Sequence, residues 1–299
     1  MKVLSSLALC LWLSVGAFAR SANVFSMTQT KVNNRPIIGI LTEKSYSKYG
    51  DEYIESTYVQ YLESAGARVV PIRGKQPPKY YRTLFKKING ALFPGGGVNI
   101  TEGSYYEAGK YIYELALQAN DRGDFFPIWA TCLGLELLTV LRTGKWVLQN
   151  TDTENLTLPL TFAEGYETSR LFKHMPRNIQ NYLQFEPVTQ NNHQYSLLVE
   201  DFLAIPELNQ FFQLLSTNHG PDEQEFVSLL EAYRYPIYAS QWHPEKNLFL
   251  WSSNAAINHD FHAVEVTQYM ANFFVNEARK SNHRFDSVDQ EVKTVIEND

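Results

Sequence analysis

One stretch decides the fold: Phe126-Pro127-Ile128-Trp129-Ala130-Thr131-Cys132-Leu133-Gly134-Leu135-Glu136. Its first five residues form an apolar run typical of a strand buried on both faces, and residues 133–141 have the pattern of a helix. Between them lies a sharp turn that carries Cys132. Ala130 and Gly134 are the small residues that such a turn needs, because the strand and helix backbones approach closely there. The spacing therefore predicts a nucleophile elbow.

Strands and helices alternate on both sides of this stretch. Predicted strands lie at 36–41, 68–72, 90–93 and 126–130, and predicted helices at 53–65, 80–88, 105–119 and 133–141. After a turn at 220–222, paired strands are predicted at 225–232 and 236–242, and a closing helix at 264–278. We expect an α/β fold, a three-layer α/β/α sandwich with a mostly parallel central sheet and an added antiparallel element in the second half.

The N-terminal region predicts a signal peptide at residues 1–19. Lys2 precedes a mostly apolar run over 3–15, and Ala17-Phe18-Ala19 fits the small-x-small cleavage pattern. The alternative is an uncleaved anchor, although the run is short for a membrane span. We expect entry into the secretory pathway, a mature chain that begins a few residues after Ala19, and no membrane partner.

Composition limits the possible partners and domains. The 299 residues have a formal net charge of −6 and form no basic cluster, which argues against a nucleic-acid partner. Because no Pro/Gly/Ser linker or repeat interrupts the chain, we expect one domain over 32–280 and a flexible polar tail over 281–299. Two sequons, Asn99-Ile100-Thr101 and Asn155-Leu156-Thr157, predict glycosylation of Asn99 and Asn155.

Cys132 is the candidate nucleophile. The chain has two cysteines, and Cys10 lies in the predicted signal peptide, so the mature protein keeps one thiol. An unpaired thiol is unusual in a secreted protein. At the elbow the helix dipole and free amides would lower the thiol pKa, so we expect an ionised sulfur. An inert buried thiol is the alternative.

A glycine loop follows the predicted strand at 90–93. Ligands of α/β sheets bind where parallel strands end, and Pro94-Gly95-Gly96-Gly97 comes at such an end. The amide of Leu133 and that of Gly95 or Gly96 are therefore candidates for an oxyanion hole. An ordinary surface turn is the alternative.

His243 and Glu245 form a second constellation at the same predicted edge. They stand at positions i and i+2 of a predicted extended segment, so their side chains share a face. A carboxylate bonded to imidazole fixes the tautomer and keeps the ring basic. A chance pair at the surface is the alternative.

Three segments in this order resemble the signatures of class I glutamine amidotransferase domains. They are Phe93-Pro94-Gly95-Gly96-Gly97, Thr131-Cys132-Leu133-Gly134 and Gln241-Trp242-His243-Pro244-Glu245. Residues 61–71, 88–93 and 273–280 narrow the likeness to the γ-glutamyl hydrolase family, over nearly the whole mature chain.

The resemblance implies a function for the whole chain. It implies a Cys132-His243-Glu245 triad that cleaves the γ-glutamyl amide bonds of poly-γ-glutamyl folates and antifolates through a thioester, without a cofactor. It also implies a lysosomal and secreted enzyme that forms a homodimer. Whether cleavage is exo or endo stays open, as do the residues that clamp the substrate α-carboxylates, for which we expect nearby Lys or Arg.

The sequence departs from the amidotransferase pattern at two positions. Ala130 stands where the elbow usually opens with glycine, and Glu136 stands where glutaminases commonly have glutamine. Glu136 lies one turn beyond the nucleophile, so we expect it to contact substrate, with a plain helix-start acid as the alternative. The resemblance places His193 close to the active site, where we expect it to contact a substrate carboxylate, against the alternative of a solvated loop residue. His259 and His262 lack a third ligand, so we expect no metal.

Two rival functions stay open at this point. One is the glutaminase subunit of a biosynthetic amidotransferase, which would need an ammonia-accepting partner. The other is a non-catalytic binder of folate or glutamyl peptides, for which a reactive thiol has no use. A papain-type protease is more distant, because its cysteine follows a different local pattern.

Overall fold

An eight-stranded sheet forms the centre of the fold in the computed structural model, which describes residues 32–46, 48 and 50–296. The predicted signal peptide lies outside the described residues. The strands are β1 (Ile37–Leu41), β2 (Glu43–Lys44), β3 (Glu52–Tyr53), β4 (Arg68–Ile72), β5 (Gly90–Phe93), β6 (Ile128–Thr131), β7 (Gln149–Leu158), β8 (Thr161–Phe162), β9 (Thr189–Ser196), β10 (Phe212–His219), β11 (Glu225–Ala232) and β12 (Ile237–Ser240).

Helices cover both faces of this sheet. They are α1 (Ser56–Ser64), α2 (Pro78–Phe85), α3 (Ser104–Asp121), α4 (Leu133–Thr143), α5 (Arg177–Phe185), α6 (Val199–Ala204), α7 (Pro206–Asn209), α8 (Lys246–Phe249), α9 (Phe261–Ala278) and α10 (Val288–Val292), with a 3₁₀ turn at Tyr166–Thr168. None of the helices in the described part of the chain is long and apolar enough to cross a membrane.

The strand order of the large sheet is β4-β1-β5-β6-β12-β11-β10-β8. The first five strands pair in parallel, and β11, β10 and β8 continue the sheet antiparallel. The predicted pairing of β11 with β12 is therefore confirmed, as is the mostly parallel sheet with an antiparallel addition. The carboxyl ends of β5, β6 and β12 adjoin, which brings the residues that follow these strands to one edge.

Alternate residues of each central strand contribute to two cores. In β6, Ile128 and Ala130 pack on the face covered by α2, α3 and α4, whereas Trp129 packs on the face covered by α1, α5 and α9. All three residues are fully buried. Burial on both faces explains why the strand sequence is continuously apolar, and it confirms the three-layer sandwich.

A smaller antiparallel sheet joins β7 and β9, with two register shifts. Its inward side chains are polar. Thr151 and Thr153, for example, are buried, and their hydroxyl groups form a hydrogen bond with each other. The segment contains few large apolar residues, so hydrophobic periodicity does not predict these strands.

The last segment differs from the expected flexible tail. Within 281–296 the chain forms α10, and Phe285 and Val295 lie in the core of the α2 face. Glu291 also forms an ion pair with Arg68 of β4. The segment is mostly polar, but these few apolar and charged residues pack its described part against the domain.

Candidate active site

Cys132 occupies the turn between β6 and α4. Its backbone has φ 51° and ψ −110°, values that residues other than glycine rarely adopt. Its amide donates to the carbonyl of Ser240 at 2.7 Å, which ties the turn to β12. A Cβ on Gly134 would lie 2.2 Å from the carbonyl oxygen of Phe93, so glycine is required there. Ala130 is fully buried, and its methyl group fits the core without preventing the turn.

His243 and Glu245 contact each other just beyond β12. Nδ1 of the imidazole donates to Oε1 of Glu245 at 2.7 Å, and Glu245 is fully buried. The pair does not lie on an extended segment as expected. Glu245 has helical backbone angles, φ −76° and ψ −20°, and the contact is made within a turn. Because Nδ1 carries the proton that Glu245 accepts, Nε2 is left as the basic nitrogen.

The glycine loop fills the space beside both side chains. A Cβ on Gly95 would lie 2.6 Å from Cε1 of His243 and 3.2 Å from Cβ of Cys132. The imidazole and the cysteine side chain therefore adjoin across Gly95. The fold brings together three segments that are distant in sequence, since His243 lies 111 residues after Cys132 and Cys132 lies 37 residues after Gly95.

Two tyrosines fix the loop. The amide of Gly95 donates to the hydroxyl oxygen of Tyr58 at 2.7 Å, and that oxygen lies 3.3 Å from Nδ1 of His243. The hydroxyl of Tyr105 donates to the carbonyl of Pro94 at 2.6 Å. Since the Gly95 amide is engaged by Tyr58, the expected oxyanion role fits the neighbouring amide of Gly96 better.

The electrostatics of the pair differ from the expected ionised thiol. Burial raises the pKa of Cys132 well above its usual range, and the carboxylate of Glu136 adds to the rise, although Lys246 and the amide of Leu133 oppose it. Burial lowers the pKa of His243, with Lys246 adding to the shift and Glu245 opposing it. Both shifts favour a neutral thiol beside a neutral imidazole, because a buried site disfavours separated charges.

Glu245 is nevertheless ionised. Burial alone would raise its pKa, but its contact with His243, together with the charge of Lys246, brings the net shift downward. A carboxylate that stays charged in this position stabilises an imidazolium when one forms on His243.

A cavity of about 560 Å³ opens onto the thiol. Cys132, Leu133 and Gly96 line it from the sheet edge, and β9 closes the opposite side. Glu136 and His193, the two residues expected to contact substrate, line the same cavity.

Glu136 and His193 are both buried. Gln241 donates from Nε2 to Glu136 at 3.0 Å, and burial raises the pKa of this carboxyl to about 7. His193 lies on β9 and not on a solvated loop, with Nδ1 2.7 Å from Oγ1 of Thr153. Burial lowers its pKa to about 3, with His243 adding to the shift, so the ring is neutral.

No lysine or arginine is among the described residues that line the cavity, contrary to the cations expected around a polyanionic substrate. Its polar lining is mostly neutral and includes Asn99, Thr101, Asn192 and Gln194, with Glu154 and Glu136 as acids. Lys246 is the buried cation whose charge acts on Cys132, His243 and Glu245, but it does not line the cavity.

The sequence did not single out Tyr58, Tyr105 or Lys246. Tyr58 falls within a helical apolar pattern, in which an aromatic residue is normally assigned to the hydrophobic core. Its position in the first turn of α1 is the one indication that it lies near the sheet edge. Lys246 directly follows the quoted motif and could have been included with it.

Within the ranges that the structure describes, no group of three or more His, Cys, Asp or Glu side chains could hold an ion. His259 instead forms a hydrogen bond with the carbonyl of Asn247, and His262 forms one with the carboxylate of Glu186.

Comparison with known proteins identifies the family. The model of the Peptidase C26 family matches residues 36–245. The chain belongs to the Peptidase C26 family. It is 46% identical over 266 residues to Gamma-glutamyl hydrolase of Homo sapiens, covering 88% of this chain and 83% of that protein. It is 45% identical over 267 residues to Gamma-glutamyl hydrolase of Mus musculus, covering 88% and 84%.

Membership of Peptidase C26 makes the chain a cysteine-type hydrolase, as the resemblance to γ-glutamyl hydrolases implied. The matched range contains Cys132, His243 and Glu245. Among solved structures, a glutamine amidotransferase from Thermotoga maritima is 10% identical, with a TM-score of 0.46 over 82% of this chain and 99% of that one.

Proposed function

We propose that this Peptidase C26 member hydrolyses the γ-glutamyl amide bonds of poly-γ-glutamates, in particular folylpolyglutamates and antifolate polyglutamates. The observation that carries the proposal is the meeting of the Cys132 thiol, the His243–Glu245 pair and the glycine loop beside one cavity. The names of the two mammalian relatives supply the bond type. The proposed nucleophile, base and orienting acid are Cys132, His243 and Glu245.

In the proposed first step, His243 acts as a general base. Because the resting thiol is neutral, Nε2 accepts its proton as Sγ of Cys132 attacks the γ-carbonyl carbon. The resulting imidazolium is stabilised by the charged Glu245 carboxylate. His243 then gives the proton to the leaving amine, and the C–N bond breaks to leave a thioester.

Water completes the cycle. His243 takes a proton from water as its oxygen attacks the thioester carbonyl, and returns it to the departing sulfur of Cys132. The products are a shortened chain that ends in a free γ-carboxylate and the glutamate or glutamyl peptide that left as the amine, so no cofactor enters the proposed reaction.

The negative oxygen of both intermediates needs donors. The amide of Leu133 points toward the thiol, where it lowers the thiol pKa, and the amide of Gly96 has no partner within the described residues. We propose these two as the oxyanion hole and not Gly95, whose amide bonds Tyr58.

Product analysis of one defined polyglutamate tests the proposal. Mass spectrometry of the products should show cleavage at γ-glutamyl bonds by the wild type and none by Cys132→Ala, and the product lengths would assign exo or endo cleavage. Ammonia released from free glutamine, without glutamate released from the polymer, would instead favour the glutaminase function. Binding without turnover by the wild type would favour the non-catalytic binder.

The cellular setting is also a proposal. The leader pattern at 1–19 and two sequons with exposed asparagines, Asn99 and Asn155, support secretion, lysosomal residence and glycosylation. The resemblance alone supports a homodimer. N-terminal sequencing of secreted protein, glycopeptide mass spectrometry and sedimentation of the purified protein test these three points.

A further inference from the structure

Glu43 is a buried acid that contacts the glycine loop from outside the proposed triad. It belongs to the short strand β2, beyond the carboxyl end of β1, and is 4% exposed. The amide of Gly97 donates to its Oε2 at 3.3 Å. A Cβ on Gly96 would lie 1.9 Å from the same oxygen, so the carboxyl group packs directly against the Cα of Gly96.

Side chains hold the two peptides that flank the Gly95–Gly96 peptide. Tyr105 donates to the carbonyl of the Pro94–Gly95 peptide and Tyr58 accepts its amide, whereas Glu43 accepts the amide of the Gly96–Gly97 peptide. The Gly96 amide lies between these anchors and is left free to donate to a ligand. The contact between Glu43 and the next peptide limits the direction in which the Gly96 N–H bond points.

We propose that Glu43 is a positioning residue, whose carboxyl group holds the Gly96–Gly97 peptide so that the Gly96 amide faces the oxyanion. This inference rests on the proposed function, in which Gly96 supplies one of the two oxyanion donors. Glu43 touches the loop and not the substrate, so it acts through Gly96.

Charge gives this contact a dependence on pH. Burial raises the pKa of Glu43 to about 7, with Glu55 adding to the rise and the Gly97 amide and Tyr53 hydroxyl opposing it. The titratable groups that face it are Tyr53 and Glu55 from the β3 side and Tyr105 from α3. Tyr105 and Tyr53 are neutral at physiological pH, because their pKa values are raised.

The two protonation states of Glu43 act differently on the reaction. In either state a carboxyl oxygen accepts the Gly97 amide, so the loop keeps its anchor. Above pH 7 the added negative charge opposes the charge that develops on the substrate oxygen a short distance away. Neutral Glu43 is therefore the more favourable form, and the advantage is lost as the pH rises through 7.

Two substitutions separate the anchor from the charge. Glu43→Ala removes both and should lower kcat by roughly 10- to 100-fold with little change in KM. Glu43→Gln keeps an acceptor of the same shape but cannot ionise. Its kcat should match that of the wild type at pH 5.5 and exceed it several-fold at pH 8.

Glu52→Ala is the matched control. Glu52 lies on β3, the strand paired with β2, and accepts the amide of Gly74 at 2.8 Å, but it does not line the cavity. Its removal should leave kcat unchanged. Thermal melting of each variant shows whether it is folded, so that loss of activity can be assigned to positioning.

A double substitution tests the contact itself. Gly96→Ala should lower kcat because its Cβ collides with Glu43, and it should add little to the loss already caused by Glu43→Ala. Wild-type kcat in Glu43→Ala, equal ratios of Glu43→Gln to wild type at both pH values, or additive losses in the double variant would each overturn the proposal. Failure of the wild type to cleave any γ-glutamyl bond would instead overturn the proposed function.

Discussion

The side chain of Glu245 is fully buried, and its Oε1 accepts the Nδ1 proton of His243 at 2.7 Å. This single contact determines which imidazole nitrogen is basic. Oε2 of the same carboxylate has no partner among the described residues, so the contact with His243 is the main compensation for burying this charge. We therefore expect changes to this pair to affect both the proposed catalysis and the stability of the fold.

Glu245→Gln should impair turnover far more than folding. An amide can donate to Nδ1, which would place the proton on Nε2 and block its role as a base. We expect kcat to fall by about 10³- to 10⁴-fold. Steady-state kinetics on a γ-glutamyl peptide, with a melting curve as the folding control, measure the effect. A variant with kcat close to that of the wild type would show that Glu245 does not fix the tautomer.

The Cys132 thiol should react slowly with alkylating agents at neutral pH. Burial and Glu136 raise its pKa, so the thiolate fraction is small at pH 7 and grows as the pH increases. The rate of iodoacetamide labelling, read by intact mass, should therefore still be climbing above pH 9. Cys132→Ala should remain unlabelled under the same conditions in protein from which the leader, and with it Cys10, has been removed. A rate that is already constant between pH 6 and 8 would indicate the ion pair that the sequence suggested.

The sequence predicts the elements that bury large apolar residues, and it misses those that bury polar ones. The β6–α4 stretch and β11 (Glu225–Ala232) follow apolar patterns, and the predictions there match the structure within a few residues. The strands β7 and β9 bury threonine, asparagine and histidine by hydrogen bonding, as His193 and Thr153 do. Periodicity in hydrophobicity cannot reveal strands of this kind.

The site divides in the same way. Cys132, His243 and Glu245 were predictable because their chemical types stand in short motifs at strand ends. Tyr58 and Glu43 contact glycines 37 and 54 residues away, and only the folded chain brings these groups together. The neutral state of the thiol likewise follows from burial, which the sequence around Cys132 does not report.

Gly134 should tolerate no side chain. Because an added Cβ would lie 2.2 Å from the backbone oxygen of Phe93, Gly134→Ala must push α4 away from β5. We expect a loss of about 1 to 3 kcal/mol in the free energy of unfolding. The control is Gly97→Ala, where nothing lies within 4 Å of the new Cβ. Equal stability of the two variants by chemical denaturation would show that the close approach is not needed.

Glu136 should make substrate affinity depend on pH. Its pKa of about 7 leaves it protonated in acid, where it can donate to a substrate carboxylate. Above pH 7 it becomes an anion, in a cavity whose described lining offers no lysine or arginine, and repels the substrate. KM for a polyglutamate should therefore rise as the pH passes through 7. In Glu136→Gln, KM should change little over the same range, and a parallel rise in both proteins would assign the effect to another group.

A glycan on Asn99 should restrict the cavity. Asn99 is exposed and lines the cavity that holds Cys132, and its Oδ1 accepts the amide and hydroxyl of Thr101. Nδ2, to which a sugar would be attached, stands at the rim and donates to Glu102 at 3.3 Å. Removing this sequon with Asn99→Gln should raise kcat/KM for long polyglutamates more than for a diglutamate, because a sugar at the rim obstructs the longer chain.

Asn155→Gln is the matched control, since Asn155 is also an exposed sequon asparagine but does not line the cavity. Glycopeptide mass spectrometry establishes which asparagine carries sugar in the secreted protein, and kinetics with both substrates follow on the same preparations. Chain-length selectivity should change in Asn99→Gln alone. If Asn99 is unmodified, or if both variants keep the chain-length selectivity of the wild type, a sugar on Asn99 does not control access to the cavity. Residues 97–101 would then border the cavity without a glycan.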